Sequence, residues 1–405
     1  LETEFPIFDL INFLKMKPIK PFIVLFLMWA VAQSGFAQPF QIGHTTINFT
    51  DTSRSNRVIA TEVYYPSDIA GDNVAVTATT GTFPVLSFGH GFVMTWDAYQ
   101  NFWSALVPNG YIMVFPKTEG SLSPSHLDFG KDLAFVIDQM TVLNNDATSV
   151  FYNRISTMNA VMGHSMGGGA SFLAAQLNSN IKTLVNFAPA ETNPSAVTAA
   201  AAITIPSLVF SGVNDCVTPP NVHQIPMYNG LTSTCKTLIS IIGASHCQMA
   251  NNNFFCNVGE GTCSPQPTIS RAVQQAKINS YLLPWLDYQL KGNCSQGTLF
   301  DNQITTDTAI TFQKNCLQCN GLSVAVTLTD KVIKVYPNPV NDYVTITGKT
   351  GMTYQVTIHD GNGKMISDQN FTTSTTIETS GLAEGTYFYA IVQAGKVMGS
   401  GKIIK

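Results

Sequence analysis

Gly163-His164-Ser165-Met166-Gly167 has the form G-x-S-x-G, and no other stretch of this chain constrains its fold as strongly. The run ahead of it, 159–162, reads as a short buried strand. The run behind it, 168–175, reads as the start of a tightly packed helix. A serine on such a strand-to-helix turn is strained, exposed and beside a helix N-terminus, so its oxygen can attack and the resulting oxyanion finds donors. With no β-carbons at Gly163 and Gly167 the turn can close and the helix can approach its neighbours. The bare pattern is common, so its flanks and partners have to decide.

From residue 83 the chain alternates strand-like and helix-like segments. Apolar runs at 83–88, 111–115, 159–162, 183–187, 207–210 and 237–242 read as strands. Residues 99–107, 128–143 and 268–290 read as helices. In the second of these, Leu133, Val136, Ile137, Met140 and Leu143 recur at helical spacing. Strands apolar on both faces, alternating with helices, predict an α/β architecture with a mostly parallel sheet covered on both sides. The earlier segments 46–48 and 58–65 are expected as antiparallel edge strands.

In a sheet of this kind the partners of a serine nucleophile follow it in the order acid, then histidine. Of the seven histidines only His223, His246 and His359 come after Ser165. His359 lies in a later, different region, and His223 in a proline-rich loop. His246 sits in Gly243-Ala244-Ser245-His246-Cys247, just past the last strand, where catalytic groups gather in open α/β sheets. It is the candidate base. Only two carboxylates, Glu191 and Asp215, stand between Ser165 and His246. Asp215 follows the penultimate strand and is the candidate acid; Glu191, one strand earlier, is the alternative. An oxyanion hole needs two backbone donors. The N–H groups of Met166 and of Phe92, in Gly89-His90-Gly91-Phe92, are the candidates, with His90 read as structural. No metal-binding constellation and no phosphate-cradling loop is visible, so neither a metal nor another cofactor is expected.

Charged residues make up 11% of the 405, against roughly 25% in an average soluble protein. The net charge is −4, which excludes the electrostatic footprint of a nucleic-acid-binding protein. The chain is long enough for more than one domain. Met16-Lys17-Pro18-Ile19-Lys20 followed by the apolar run 22–32 predicts a signal peptide over 16–37 with cleavage before Gln38, behind an upstream extension over 1–15. That run is shorter than the roughly 20 residues a bilayer span needs, so no stable membrane span is expected. Export also suits the eight cysteines as disulfides rather than metal ligands. Expected pairings are Cys256–Cys263, and Cys294 with Cys316 or Cys319.

The α/β region is expected to occupy 38–292. A Thr/Asn/Gln/Cys-rich stretch, 293–326, reads as a linker with a local disulfide. Short alternating runs at 340–347, 353–359, 375–378, 386–392 and 397–404, with a hairpin signal at Asp360-Gly361-Asn362-Gly363, predict a small all-β sandwich-like domain over 327–405.

With these residues in place, 40–292 resembles the dienelactone-hydrolase-like α/β-hydrolases, and more narrowly bacterial polyester hydrolases of the cutinase and poly(ethylene terephthalate) hydrolase group. The resemblance is carried by Gly163-His164-Ser165-Met166-Gly167-Gly168-Gly169. Supporting it are Gly89-His90-Gly91-Phe92, Asn214-Asp215-Cys216-Val217-Thr218-Pro219 and Gly243-Ala244-Ser245-His246. It implies an α/β-hydrolase fold and a serine esterase acting on carboxylic esters, polyesters included. It also implies that Phe92 flanks the scissile ester and that Met166 and Val217 form other walls of the cleft. The tryptophan many such enzymes carry after the strand beyond the elbow has no match in 189–194. Trp96 and Tyr99, beside the oxyanion loop, are candidates to supply a ring, Trp96 as a substrate contact. A lipase or small-ester carboxylesterase with the same triad is the alternative, and a non-catalytic surface adhesin a more distant one.

The C-terminal region resembles the type A sorting domain of the type IX secretion system of Bacteroidetes. The matching residues are Val335-Tyr336-Pro337-Asn338-Pro339, Gly381-Leu382-Ala383-Glu384-Gly385-Thr386-Tyr387 and Lys402-Ile403-Ile404-Lys405. This implies the type IX machinery as a partner, and an extracellular or outer-membrane-surface location.

Overall fold

A computed structural model describes residues 40–79, 81–316, 333–360, 364–393 and 396–405. The expected extension, signal peptide and cleavage site lie outside these residues. Ten strands form one sheet: β1 Gln41–Asp51, β2 Arg57–Ser67, β3 Gly71–Asp72, β4 Phe83–Gly89, β5 Ile112–Pro116, β6 Ile155–His164, β7 Thr183–Phe187, β8 Ser207–Gly212, β9 Lys236–Ile241 and β10 Ile310–Asn315. Their order is β10-β9-β8-β7-β6-β4-β5-β2-β1-β3. The six central strands from β5 to β9 run parallel. As expected, β1 and β2 extend the sheet antiparallel at one end.

The helices are α1 Gln100–Leu106, α2 His126–Asn145, α3 Met166–Leu177, α4 Ala196–Ala200, α5 Gln224–Gly230, α6 Phe254–Glu260, α7 Arg271–Lys291 and α8 Cys294–Thr306. Their distribution follows from the period-two alternation of strand side chains. Ala160 and Met162 of β6, and Leu208 and Phe210 of β8, pack in one core with Phe102 and Leu106 of α1 and Ile278 and Leu282 of α7. Val161 and Val209, between them in sequence, enter a second core with Leu133 of α2 and Phe172 and Leu173 of α3. Each central strand is therefore buried on both faces, which is why its sequence is apolar throughout rather than alternating.

Strand order also places the site. The chain leaves β4 for β5 on one side and returns to β6 on the other, so β4 and β6 are neighbours although β5 separates them in sequence. Loops at the carboxyl ends of two such strands open a crevice at the switch point. One of these loops begins after Gly89 and the other is the turn at Ser165.

Residues 293–316 correct the expected linker. They form α8 and β10, and β10 pairs antiparallel with β9 from Ile310–Ile241 to Asn315–Lys236, closing the far end of the sheet. Gly297, Phe300 and Ile304 bury one helical face of α8. The polar composition concealed that spacing. The rest of the expected linker, 317–326, lies outside the described residues.

The disulfides differ from expectation too. Cys256 pairs with Cys247, Cys263 with Cys216, and Cys235 with Cys316. Cys256 lies within α6 and Cys263 beyond its end, so the two are carried to different partners and Cys256–Cys263 does not form. Cys294 is disulfide-bonded, though not to Cys316, and Cys319 lies outside the described residues.

The C-terminal region is all β. Its strands are β11 Lys334–Tyr336, β12 Tyr343–Thr347, β13 Thr353–His359, β14 Met365–Thr372, β15 Ser374–Glu378, β16 Thr386–Gln393 and β17 Lys396–Ile404. They form sheets β11-β12-β15 and β14-β13-β16-β17. Val344, Ile346 and Ile377 of the first share one core with Val356, Ile358, Ile391 and Ile403 of the second. Among the described residues no helix is long and apolar enough to cross a membrane.

Candidate active site

The turn between β6 and α3 holds Ser165 at φ 56° and ψ −121°, a conformation costly for any residue with a β-carbon. Close packing enforces it. A β-carbon on Gly163 would lie 2.3 Å from the Gly167 carbonyl oxygen, and one on Gly167 would lie 2.2 Å from the carbonyl of Gly89. Only glycine lets α3 rest against the end of β4. The Ser165 N–H donates to Phe187 O at 3.1 Å, and Ser165 O accepts from Ala190 N–H at 2.8 Å. Two more strained residues flank the turn, Val93 at φ 49° and Ala188 at φ 44°. Such outliers cluster where surrounding structure over-determines a functional geometry.

His246 stands in the loop after β9, 2% exposed, and its Nδ1–H donates to Asp215 Oδ2 at 2.8 Å. Asp215 closes a turn after β8 and is 4% exposed. Its carboxylate also accepts the Thr218 N–H on Oδ1 at 2.8 Å and the Thr218 hydroxyl on Oδ2 at 2.9 Å. Thr218 Oγ1 lies 2.9 Å from His246 Nδ1 as well, and Gln224 Nε2 donates to it at 3.1 Å. The imidazole therefore has its Nδ1 side held by a carboxylate and a hydroxyl, with Nε2 on the opposite side of the ring. No hydrogen bond joins Ser165 Oγ to His246 Nε2 among the described residues, and such bonds commonly tighten only when substrate arrives. Glu191 is elsewhere: its Oε2 accepts the Val197 N–H at 3.1 Å at the start of α4, and its own N–H donates to His223 Nδ1.

The N–H of Met166 belongs to the first turn of α3, where helix geometry supplies no internal acceptor. The N–H of Phe92 likewise has no partner among the described residues. The Phe92 side chain is 45% exposed and that of Val217 39%, so both are available to a ligand. Trp96 is engaged otherwise. Its Nε1–H donates to Tyr64 Oη at 3.2 Å and Lys117 Nζ stands 4.9 Å over its ring, so none of these contacts brings it to Ser165, Asp215 or His246. His90 is buried with Nδ1 2.9 Å from Gly91 O and Nε2 2.9 Å from Thr118 O, a supporting position rather than that of a second base.

Sequence reasoning did not single out His164, although it precedes Ser165. It is wholly buried, and burial followed by the nearby His246 holds its pKa well below the usual histidine range. It is thus the neutral middle of a chain of hydrogen bonds. Gly91 N–H donates to Tyr99 Oη at 2.7 Å, Tyr99 O–H donates to His164 Nδ1 at 2.9 Å, and His164 Nε2–H donates to His246 O at 3.2 Å. The loop at Gly91, the Ser165 turn and the His246 loop are linked through one buried ring. Thr218 was missed as well, and its position three residues after Asp215 was the available signal. Among the described residues no group of three or more side chains could hold a metal ion.

Comparison with known proteins places this geometry in context. The chain matches the PET hydrolase-like family over residues 37–262 and a secretion system C-terminal sorting domain over residues 334–405. It is similar to cutinase est2 of Thermobifida alba and cutinase cut1 of Thermobifida fusca, with 26% identity to each over 186 residues. That alignment covers 45% of this chain, 56% of the first and 52% of the second. It is 24% identical over 185 residues to a bis(hydroxyethyl) terephthalate hydrolase of Streptomyces coelicolor, 45% of this chain and 54% of that protein. The chain thus spans about half the length of the curated relatives it matches.

Proposed function

The chain belongs to the PET hydrolase-like family, and from that premise we propose that it is an exported serine esterase cleaving carboxylic esters, with polyesters of the poly(ethylene terephthalate) type among its substrates. The observation that carries this reading is the buried Asp215–His246 pair at 2.8 Å, joined to the strained Ser165 turn by the His164 ring, whose Nε2 lies 3.2 Å from His246 O. Ser165 Oγ attacks the ester carbonyl carbon while His246 Nε2 takes its proton. Asp215 keeps the other ring nitrogen protonated and stabilises the imidazolium without itself taking the proton. The carbonyl oxygen gains its negative charge facing the N–H groups of Met166 and Phe92. His246 then returns the proton to the departing alcohol, leaving an acyl-enzyme that water resolves by the same sequence.

Phe92 and Val217 are the side chains that meet the substrate in this reading, and Trp96 supports the chain beyond the oxyanion loop. The C-terminal sorting domain directs export through the type IX machinery to the cell surface or medium, in keeping with the disulfides of the hydrolase.

The test is a panel of p-nitrophenyl esters of increasing acyl length, bis(hydroxyethyl) terephthalate and polyester film, each with Ser165→Ala as control. Turnover should extend from short acyl chains to film and fall by about 10³-fold or more without the hydroxyl. Substantial turnover by Ser165→Ala would sink the assignment, and preference for long acyl chains alone would mark a lipase.

A further inference from the structure

The segment from Cys247 to Cys263 is fastened to both sides of the proposed triad. Cys247, directly after His246, is bonded to Cys256 inside α6; Cys216, directly after Asp215, is bonded to Cys263 just beyond α6. Its first turn also rests on the chain after the oxyanion loop, where Asn251 N–H donates to Ala98 O at 2.7 Å and Asn101 Nδ2 donates to Met249 O at 3.1 Å. The loops carrying Asp215 and His246, and the start of α1, thus hold one short helix at the site's edge.

The two faces of that helix differ in character. Charge is turned inward. Glu260, the one charged residue between 247 and 263, is buried and accepts the Cys247 N–H at 3.1 Å. Arg271, from α7, donates to the carbonyl oxygens of Cys247 and Ala250 and to Asn257 Oδ1. The outward face is apolar and uncharged. Phe254 and Phe255 are 73% and 61% exposed, the two most exposed aromatic side chains among the described residues, and their rings meet edge to face at 5.6 Å. Val258, one turn on from Phe254, is 62% exposed. An apolar cluster left in water on a covalently secured element is a mark of an interaction surface.

We propose that Phe254, Phe255 and Val258 form a docking surface for the face of an uncharged solid polyester, holding the polymer against the cleft at Ser165. The proposal rests on the esterase reading for the nature of the substrate. Its occupant follows from where the surface is tied. A substrate reaching Ser165 and large enough to extend past the loops carrying Asp215 and His246 meets this helix, whereas a small ester does not. The absence of surface charge suits an uncharged solid and gives nothing to attract an anionic membrane. The disulfides hold the rings in place before contact, so little conformational freedom is lost on adsorption.

Adsorption of the full chain to amorphous polyester film, measured in the Ser165→Ala background, tests the surface without turnover. Adding Phe254→Ser and Phe255→Ser should weaken adsorption about tenfold, and in the active chain should lower the ratio of film to p-nitrophenyl butyrate hydrolysis by a similar factor. Phe254→Leu with Phe255→Leu should keep most of both. The proposal is overturned by an unchanged adsorption isotherm, or by film and soluble activity falling together. It is also overturned if the serine variant adsorbs normally but has lost self-association in sedimentation, or binding to phosphatidylcholine vesicles. A parent chain that hydrolyses no ester defeats the esterase reading, and the adsorption series still decides the surface.

Discussion

Thr218 shows how a single hydroxyl can matter beside a buried carboxylate–imidazole pair. It gives the Asp215 carboxylate two of its hydrogen bonds and lies 2.9 Å from His246 Nδ1. Thr218→Ala keeps the backbone donor but loses the hydroxyl, leaving Gln224 Nε2 with one acceptor fewer. We expect kcat to fall about tenfold with KM changed less than twofold, the pattern of a residue that positions the proposed base, His246. Thr218→Ser should recover most of the rate. Steady-state kinetics on a soluble ester would check this, and a rise in KM alone would place Thr218 in substrate binding instead. Neither Thr218 nor His164 stood out in the sequence, because nothing in the chain order says that Tyr99, Gly91 and His246 converge on one ring. Asp215 and His246 did stand out, because scarcity did the work: three histidines follow Ser165, and two carboxylates stand between it and His246.

The β6–α3 turn shows the same contrast at the scale of an element. Its glycines could be read for their purpose before any contact was known. Which atoms they make room for is a tertiary fact. A β-carbon on Gly167 would meet Gly89 at 2.2 Å and His90 O at 2.6 Å, both backbone and unable to swing aside. Gly167→Ala should therefore cost about 3 kcal/mol or more and displace the loop that follows β4, lowering the urea midpoint and kcat together. A normal midpoint would mean that β4 and α3 can separate at little cost. The central strands were legible because burial on both faces makes them continuously apolar. By contrast β14 faces water along most of its length and carries no such run, and α8 hides a buried Gly297, Phe300, Ile304 stripe among polar residues.

For the whole molecule, the closure of the sheet by β10 carries a prediction about where the α/β region can end. A chain stopping at 292 loses α8, β10 and the Cys235–Cys316 bond, which spans 81 residues and on loop entropy alone contributes about 4–5 kcal/mol. Such a chain should fail to give a cooperative melt by circular dichroism, and one stopping at 316 should give one. Equal melting of the two would remove α8 and β10 from the folded unit. Acid sensitivity is a second global property. Burial lowers the pKa of His90 and of His164. As pH falls below 6.5 the unfolded chain takes up protons that the folded chain refuses, and stability declines by up to about 1.4 kcal/mol per pH unit for each ring until the depressed folded values are reached. Below about 4.5 Glu62 adds to the decline. Burial pushes its carboxyl up, but hydrogen bonds from Lys117, Thr46 and His44 outweigh that and hold it low, a stabilisation lost on protonation. Urea midpoints at pH 7, 6 and 5 should fall in that order, and more gently for His164→Gln; parallel slopes would exclude His164 as a source.

By itself the sequence determined what depends on local pattern and scarcity. These are the parallel sheet from two-sided apolar runs, the serine turn from its glycines, a candidate acid and a candidate base from their rarity, and an all-β C-terminal region from its short alternations. Only the tertiary structure decided what depends on convergence: the disulfide partners, the last helix and edge strand of the sheet, the His164 and Thr218 contacts, and the aromatic face secured beside the proposed triad. Local pattern is legible because each residue's periodicity reports its own burial. Pairing is not, because two residues far apart in the chain leave no mark on each other until the fold brings them together.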